Sequence, residues 1–155
     1  MGSSETDRIE RSIVIDAPRA RVWRALADAP EFGTWFGARL QGQRFAPGQR
    51  ARGSITYPGY EHIFFDVVIQ RMEPEKLLSW HWHPYAVEPG VDYASETPTL
   101  VTFTLEDAPG GGTLLKVVES GFDQVPPARR ALAFRMNSGG WDAQVENIRG
   151  HVAKG

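Results

Sequence analysis

The sequence predicts an α+β domain in which an antiparallel sheet of six to seven strands is covered on one face by a long C-terminal helix, with two short helices after the first strand. Three observations predict it. Apolar and polar residues alternate through most of the stretch from about Ala38 to Ser120, as they do in strands with one buried face. Ahead of that stretch a β-branched run gives way to helical spacing. After it, Phe134, Ser138, Trp141, Val145, Ile148 and Val152 fall four, three, four, three and four residues apart, a single stripe along one helix.

Ile9, Ile13, Val14 and Ile15 make the first strand, and Asp16-Ala17-Pro18 closes it with a capping-type residue and an early proline, the combination that opens a helix. In Arg19–Ala29 the residues Val22, Ala25, Leu26 and Ala29 share one side, and Pro30 is expected to end the helix. Glu31 to Phe36 reads as a second, brief helix. Turn signals at Ala46-Pro47-Gly48, Tyr57-Pro58-Gly59, Glu73-Pro74-Glu75 and Pro109 to Gly112 divide the middle into strands. Their apolar faces are Ile63, Phe65, Val67 and Ile69; Leu78, Trp80 and Trp82; Val101, Phe103 and Leu105; Leu115 and Val117. Asp66, Gln70, Ser79, His81, His83, Thr102, Thr104 and Lys116 face the other way, so one side of the sheet needs a cover. The last helix supplies it, starting near Pro126-Pro127. Gly139-Gly140 lies inside its stripe, so either the helix breaks there or its backbone approaches the sheet closely, and close approach is the expectation. Pro84 to Pro98 carries no periodicity over 15 residues, the length of a lid or binding loop.

With 155 residues, 41% of them apolar, and a net charge of -2, the chain fits one domain over residues 8–153 with a loose tail over 1–7. The absence of cysteine excludes disulfides, thiolate nucleophiles and cysteine-held iron–sulfur clusters. A near-neutral charge argues against a nucleic-acid partner held through many phosphates. No apolar run reaches the length of a membrane span and the first residues lack a signal peptide, so the expected location is cytoplasmic. No phosphate loop, nucleophile elbow or H-E-x-x-H motif occurs, and no cofactor is expected.

The run Ile9 to Pro18, then Val22-Trp23-Arg24-Ala25-Leu26, Trp35-Phe36-Gly37, Glu119-Ser120-Gly121-Phe122 and Gly140-Trp141 resembles the bacterial homologues of the heat-shock-protein-90 ATPase activator, within the START and birch-pollen-allergen (SRPBCC) superfamily. The resemblance spans Arg8 to Ala153. It implies the helix-grip fold, a curved sheet wrapped around the last helix, often with a cavity between them. His81 to Val87 with Gly90 to Tyr93 is also similar to a bacterial subgroup labelled a vanillate demethylase reductase. That chemistry needs iron–sulfur, flavin and nicotinamide modules, for which the chain has neither cysteine nor a dinucleotide motif nor the length.

Three functions are compatible with these residues. The first is a binding protein for a small hydrophobic or aromatic molecule, held between the inner sheet face and the last helix by Tyr57, Phe65, Trp80, Trp82, Tyr85, Tyr93, Phe103, Val117, Glu119, Phe134 and Trp141. Tyr57 is placed on the inner face by alternation with Ile55. The second is a cyclase, dehydratase or hydrolase using Glu119, which shares a face with Leu115 and Val117, as a buried acid or base; the alternative for Glu119 is a solvated or arginine-paired strand end, with Arg135 the candidate. The third is a protein-interaction module acting on a chaperone or another protein through its exposed surface. His81 and His83 stand two apart on one strand, a spacing that can chelate a metal with His62 or Asp66 as third ligand, or they simply face solvent between two buried tryptophans. Arg19, Arg21, Arg24, Arg129, Arg130 and Arg135 read as solvated helix faces. The oligomeric state, a homodimer included, is left open.

Overall fold

A computed structural model describes residues 7–88 and 90–154. Strand β1 (Arg8–Ile15) leads through Asp16-Ala17-Pro18 into helix α1 (Arg19–Ala27), and α2 (Ala29–Phe36) follows after a single residue. That residue, Asp28, accepts from Glu31 N–H at 3.0 Å and so caps α2. Pro30 therefore sits in the first turn of α2, where its missing N–H costs nothing, instead of terminating a helix that has already ended at Ala27. The expected tail lies outside the described residues except for Asp7, whose carbonyl accepts from Gly121 and Phe122 N–H at 3.0 Å each.

The sheet continues with β2 (Arg50–Ser54), β3 (Phe64–Glu73), β4 (Leu77–Trp82), β5 (Thr99–Asp107) and β6 (Thr113–Ser120). The six described strands lie in the order β1-β6-β5-β4-β3-β2, every pairing antiparallel. The stretch from Ala38 to Ser120 contributes five of the six strands, β2 to β6, and Ala38 itself makes an isolated bridge to Ile55, just past β2. Alternation places the faces as expected. Phe65, Val67, Ile69, Leu78, Trp80, Val101, Phe103, Leu105, Leu115 and Val117 are buried, and Trp82 is half-buried. The outer face carries apolar residues among its polar ones: Val14 is 56% exposed and Phe64 and Val68 44% each, while Leu100, Leu114 and Val118 are half-buried there.

Helix α3 (Pro127–Ala153) begins at the double proline and turns Trp141, Val145, Ile148 and Val152 inward. It lies closest to β1 and also touches α1 and α2. The close approach expected at Gly139-Gly140 does not occur. A side chain at either position would meet nothing within 4 Å, and both residues are exposed on an unbroken helix. Close approach is found instead at Gly33 of α2, where a methyl group would collide with the Ala38 carbonyl.

The space between sheet and helices is filled by rings. Phe32 of α2 lies within 4.7–5.4 Å, centroid to centroid, of Trp35, Phe36, Phe45, Phe65 and Trp80. Trp80 continues the cluster to Phe103 at 5.2 Å, and Phe103 meets Trp141 of α3 at 5.7 Å. Edge-to-face rings at these distances are favourable beyond their area burial. No described helix is long and apolar enough to cross a membrane.

Candidate functional site

Alternation along β6 carries Glu119 inward, and it is fully buried. Its register partners are Ile9 on β1 and Val101 on β5. Four donors converge on its carboxylate. Trp82 Nε1 donates to Oε2 at 2.7 Å and Thr99 Oγ to the same oxygen at 2.5 Å, while Asn137 Nδ2 and Trp141 Nε1 donate to Oε1 at 2.9 Å each. A carboxylate offers about four lone-pair sites, so none remains for a ligand. The pairing with Arg135 does not form; Arg135 is exposed on α3 and the four partners are uncharged. The arrangement ties β4, β5, β6 and α3 together at one point. An acid or base for catalysis must reach the proton it moves, and Glu119 lines neither of the cavities described next.

The larger cavity, about 840 Å³, opens at the end of the sheet where β3 begins and β4 ends. Its inner wall is Phe36, Phe65, Trp82 and Asn137. Its outer wall is the polar face of β2 to β4, with Arg50, Arg52, Phe64, Asp66, Val68 and His81. Tyr85, Val91, Asp92 and Tyr93 of the loop between β4 and β5 stand over it. A smaller pocket of about 150 Å³ lies beside α3, between Phe36, Trp82, Trp141 and Gln144. Room for a guest therefore sits mainly at the sheet end, and the region beneath Trp141 is occupied by Phe36, Trp82 and Phe103.

The loop over the cleft is held by one side chain. Arg129, in the first turn of α3, donates to both oxygens of Glu96 at 2.5–3.1 Å, to Pro84 O at 2.7 Å and to Tyr85 O at 3.4 Å. Its guanidinium also lies 4.8 Å over the Tyr93 ring. Both charged partners are less than one-fifth exposed, so Arg129 is a loop anchor and not part of a solvated face. Arg21 is likewise mostly buried, paired with Glu31 at 2.7 Å. Tyr85 takes a left-handed conformation, φ 50°, which costs a non-glycine residue energy unless its surroundings impose it. The two carbonyl contacts of Arg129 at Pro84 and Tyr85 do so.

Of the residues expected to hold a ligand, Phe65, Trp82, Tyr85 and Tyr93 line the cleft and Trp141 lines the smaller pocket. Trp80, Phe103 and Val117 are at most 2% exposed and touch neither. Phe134 packs on Phe122 at 5.2 Å. Tyr57 is not on the inner face: it follows the Ala38–Ile55 bridge, is 45% exposed, and lays its ring over Gly37 while its hydroxyl donates to Phe36 O at 3.3 Å. His81 and His83 project from the outer face, half-buried, and His83 Nε2 lies 2.9 Å from Glu96 O. Among the described residues no three His, Asp or Glu side chains are grouped to hold a metal ion. Asp66, one suggested third ligand, is paired with Arg50.

Residues 16–153 match the family model described as Activator of Hsp90 ATPase homolog 1-like protein. The chain belongs to this family. Family membership agrees with the order of strand, two helices, sheet and closing helix found here. A structure of a protein from Mesorhizobium loti is similar at 25% identity, covering 95% of this chain and 97% of that one, with a TM-score of 0.70. A solution structure of an Arthrobacter aurescens protein covers 100% and 91% at 18% identity, TM-score 0.74. DynU16, from the dynemicin biosynthetic locus, is 22% identical with a TM-score of 0.71; the match takes in 95% of this chain and 47% of DynU16. The latter two likenesses establish the fold alone. No curated protein matches the chain.

Sequence reasoning missed Arg52, Phe64, Val68, Arg129 and Asn137. Phe64 and Val68 had a signal, two large apolar residues at the outward positions of a strand where Asp66 and Gln70 are polar. Arg129 had none, because its partners Glu96 and Pro84 are 33 and 45 residues away.

Proposed function

We propose that the protein binds a small hydrophobic or aromatic molecule in the cleft at the sheet end, under the loop from Pro84 to Pro98. The observation that carries this reading is the 840 Å³ cleft itself, with an inner wall of Phe36, Phe65 and Trp82 and a loop bolted over it by Arg129. Pockets of this size are typical for drug-sized ligands. A flat aromatic molecule burying ~250 Å² of apolar surface gains about 6 kcal/mol before the entropy of association is deducted. Micromolar affinity then requires polar help, which this cleft supplies at Asn137 and along its outer wall. The enzymatic alternative built on Glu119 has no support in the geometry, since all four acceptor sites of that carboxylate face protein donors.

The test is a thermal-shift and fluorescence titration with 2-naphthalenemethanol, a neutral bicyclic probe. Saturating probe is expected to raise Tm by several degrees and to quench tryptophan emission through Trp82. Ile63→Asp, which puts a charge on the cleft wall, abolishes both effects. Val14→Asp, at a residue 56% exposed on β1 away from the cleft, leaves them intact. Equal binding by the two variants, or none by the parent protein, would refute the cleft as the site.

A further inference from the structure

The outer wall of the cleft mixes polar groups with exposed apolar ones. Phe64 and Val68 are each 44% exposed there, and Val91 of the loop above is 47% exposed. Three large apolar side chains directed into one cleft from two elements make an apolar patch that needs an explanation. Beside them on β2 and β3 stand two guanidinium groups and the carboxylate of Asp66. Arg50 takes Asp66 with two parallel hydrogen bonds, Nε to Oδ1 at 2.7 Å and Nη2 to Oδ2 at 2.5 Å. Arg52, directly opposite Asp66 in the strand register, reaches the same carboxylate only at 3.5 Å.

Arg52 is therefore the less satisfied of the two. Its side chain makes no hydrogen bond to any described residue, and its guanidinium carbon lies over the Phe64 ring, 3.7 Å from the centroid. A cation held over a ring in this way spends none of its N–H donors on that contact. The other carboxylate lining this cleft, Asp92, sits on the loop and accepts Ala94 N–H at 3.0 Å, with no hydrogen bond or ion pair to Arg52; the charges of the lining balance, so recognition rests on the position of the Arg52 donors and not on a net positive field.

We infer, on the reading that this cleft holds an aromatic molecule, that the ligand is an aromatic or otherwise planar carboxylic acid, its apolar body against Phe64, Val68 and Val91 and its carboxylate on the free N–H donors of Arg52. A planar guanidinium takes a carboxylate through two parallel N–H···O bonds, which a neutral alcohol cannot replace. The apolar patch and the idle donors meet at Phe64.

The experiment compares 2-naphthoic acid with 2-naphthalenemethanol by isothermal titration at pH 7.5 and low salt. The acid is expected to bind about tenfold tighter than the alcohol, and raising the salt to 0.5 M should shrink that ratio. Arg52→Gln brings the ratio to within about twofold of one. Asp66→Asn, which removes the competing carboxylate, moves it the other way, several-fold in favour of the acid. If acid and alcohol bind equally and neither substitution alters the ratio, the inference fails while the cleft remains the ligand site. If neither compound binds, the inference falls together with the reading beneath it.

Discussion

Glu119 concentrates more structure in one side chain than any other residue of the interior. Two indole N–H groups, a hydroxyl and an amide donate to it from three elements. Indole nitrogens only donate, so Trp82 and Trp141 would be left unpaired in the interior without an acceptor at this point. Removing the acceptor from a buried set of donors costs the desolvation of each donor stranded, roughly 1–3 kcal/mol apiece. Glu119→Gln is thus not a mild change. Its amide NH₂ has to face at least one donor, and the loss expected is about 2–4 kcal/mol, seen as a fall in Tm of roughly 5–15 °C. A variant that melts with the parent would show that these donors do not depend on the carboxylate. The sequence revealed that this carboxylate points inward, because alternation from Leu115 requires it. It did not reveal the partners, since Asn137 and Trp141 lie on α3, whose stripe was legible but whose rotation against the sheet depends on three-dimensional packing.

Helix α3 shows how far pattern carries at the scale of an element. Its start, its length and four of its inward residues follow from spacing alone. The two glycines inside it do not, because a glycine demanded by a neighbour and a glycine facing open space look alike in a sequence. Here they face open space. Gly139→Ala should therefore remove backbone freedom from the unfolded chain without a clash, and raise stability by roughly 0.5–1 kcal/mol, or about 2–3 °C in Tm. Gly33→Ala in α2 is the matching counter-case, since its methyl group collides with the Ala38 carbonyl. It lowers Tm, whereas a fall with Gly139→Ala would mean that α3 is pressed against something at that point. The same distinction explains the cleft. Strand alternation correctly assigned the buried face, yet it treats each strand as a ribbon of two faces and says nothing of the sheet end, where inner Phe65 and outer Phe64 both border one cavity.

On the scale of the whole molecule, the two ends of the α-helical layer are joined through Glu31. Its carboxylate accepts from Arg21 at 2.7 Å and Arg24 at 3.1 Å on α1, and His151 Nε2 near the end of α3 donates to it at 3.0 Å, a contact 120 residues apart in sequence. Contacts so distant close the fold because they form only when α1, α2 and α3 are all docked. Burial by itself pushes the Glu31 carboxyl up; the hydrogen bonds from Arg21 and His151, the charge of Arg21 and the bond from Arg24 outweigh it and hold it below its ordinary value of 4.5. A group whose folded value is depressed stabilises the protein at pH above its unfolded value and loses that contribution as the pH falls through the folded one. The contribution of Glu31 is accordingly complete at pH 7 and disappears below about 4.5. Glu31→Gln should cost about 1–2 kcal/mol at pH 7, and the gap between the two proteins should narrow steadily in urea melts taken from pH 5 down to pH 3. A gap that stays constant over that range would mean that the three helices are held by packing alone, with the ion cluster a passenger on a surface already closed.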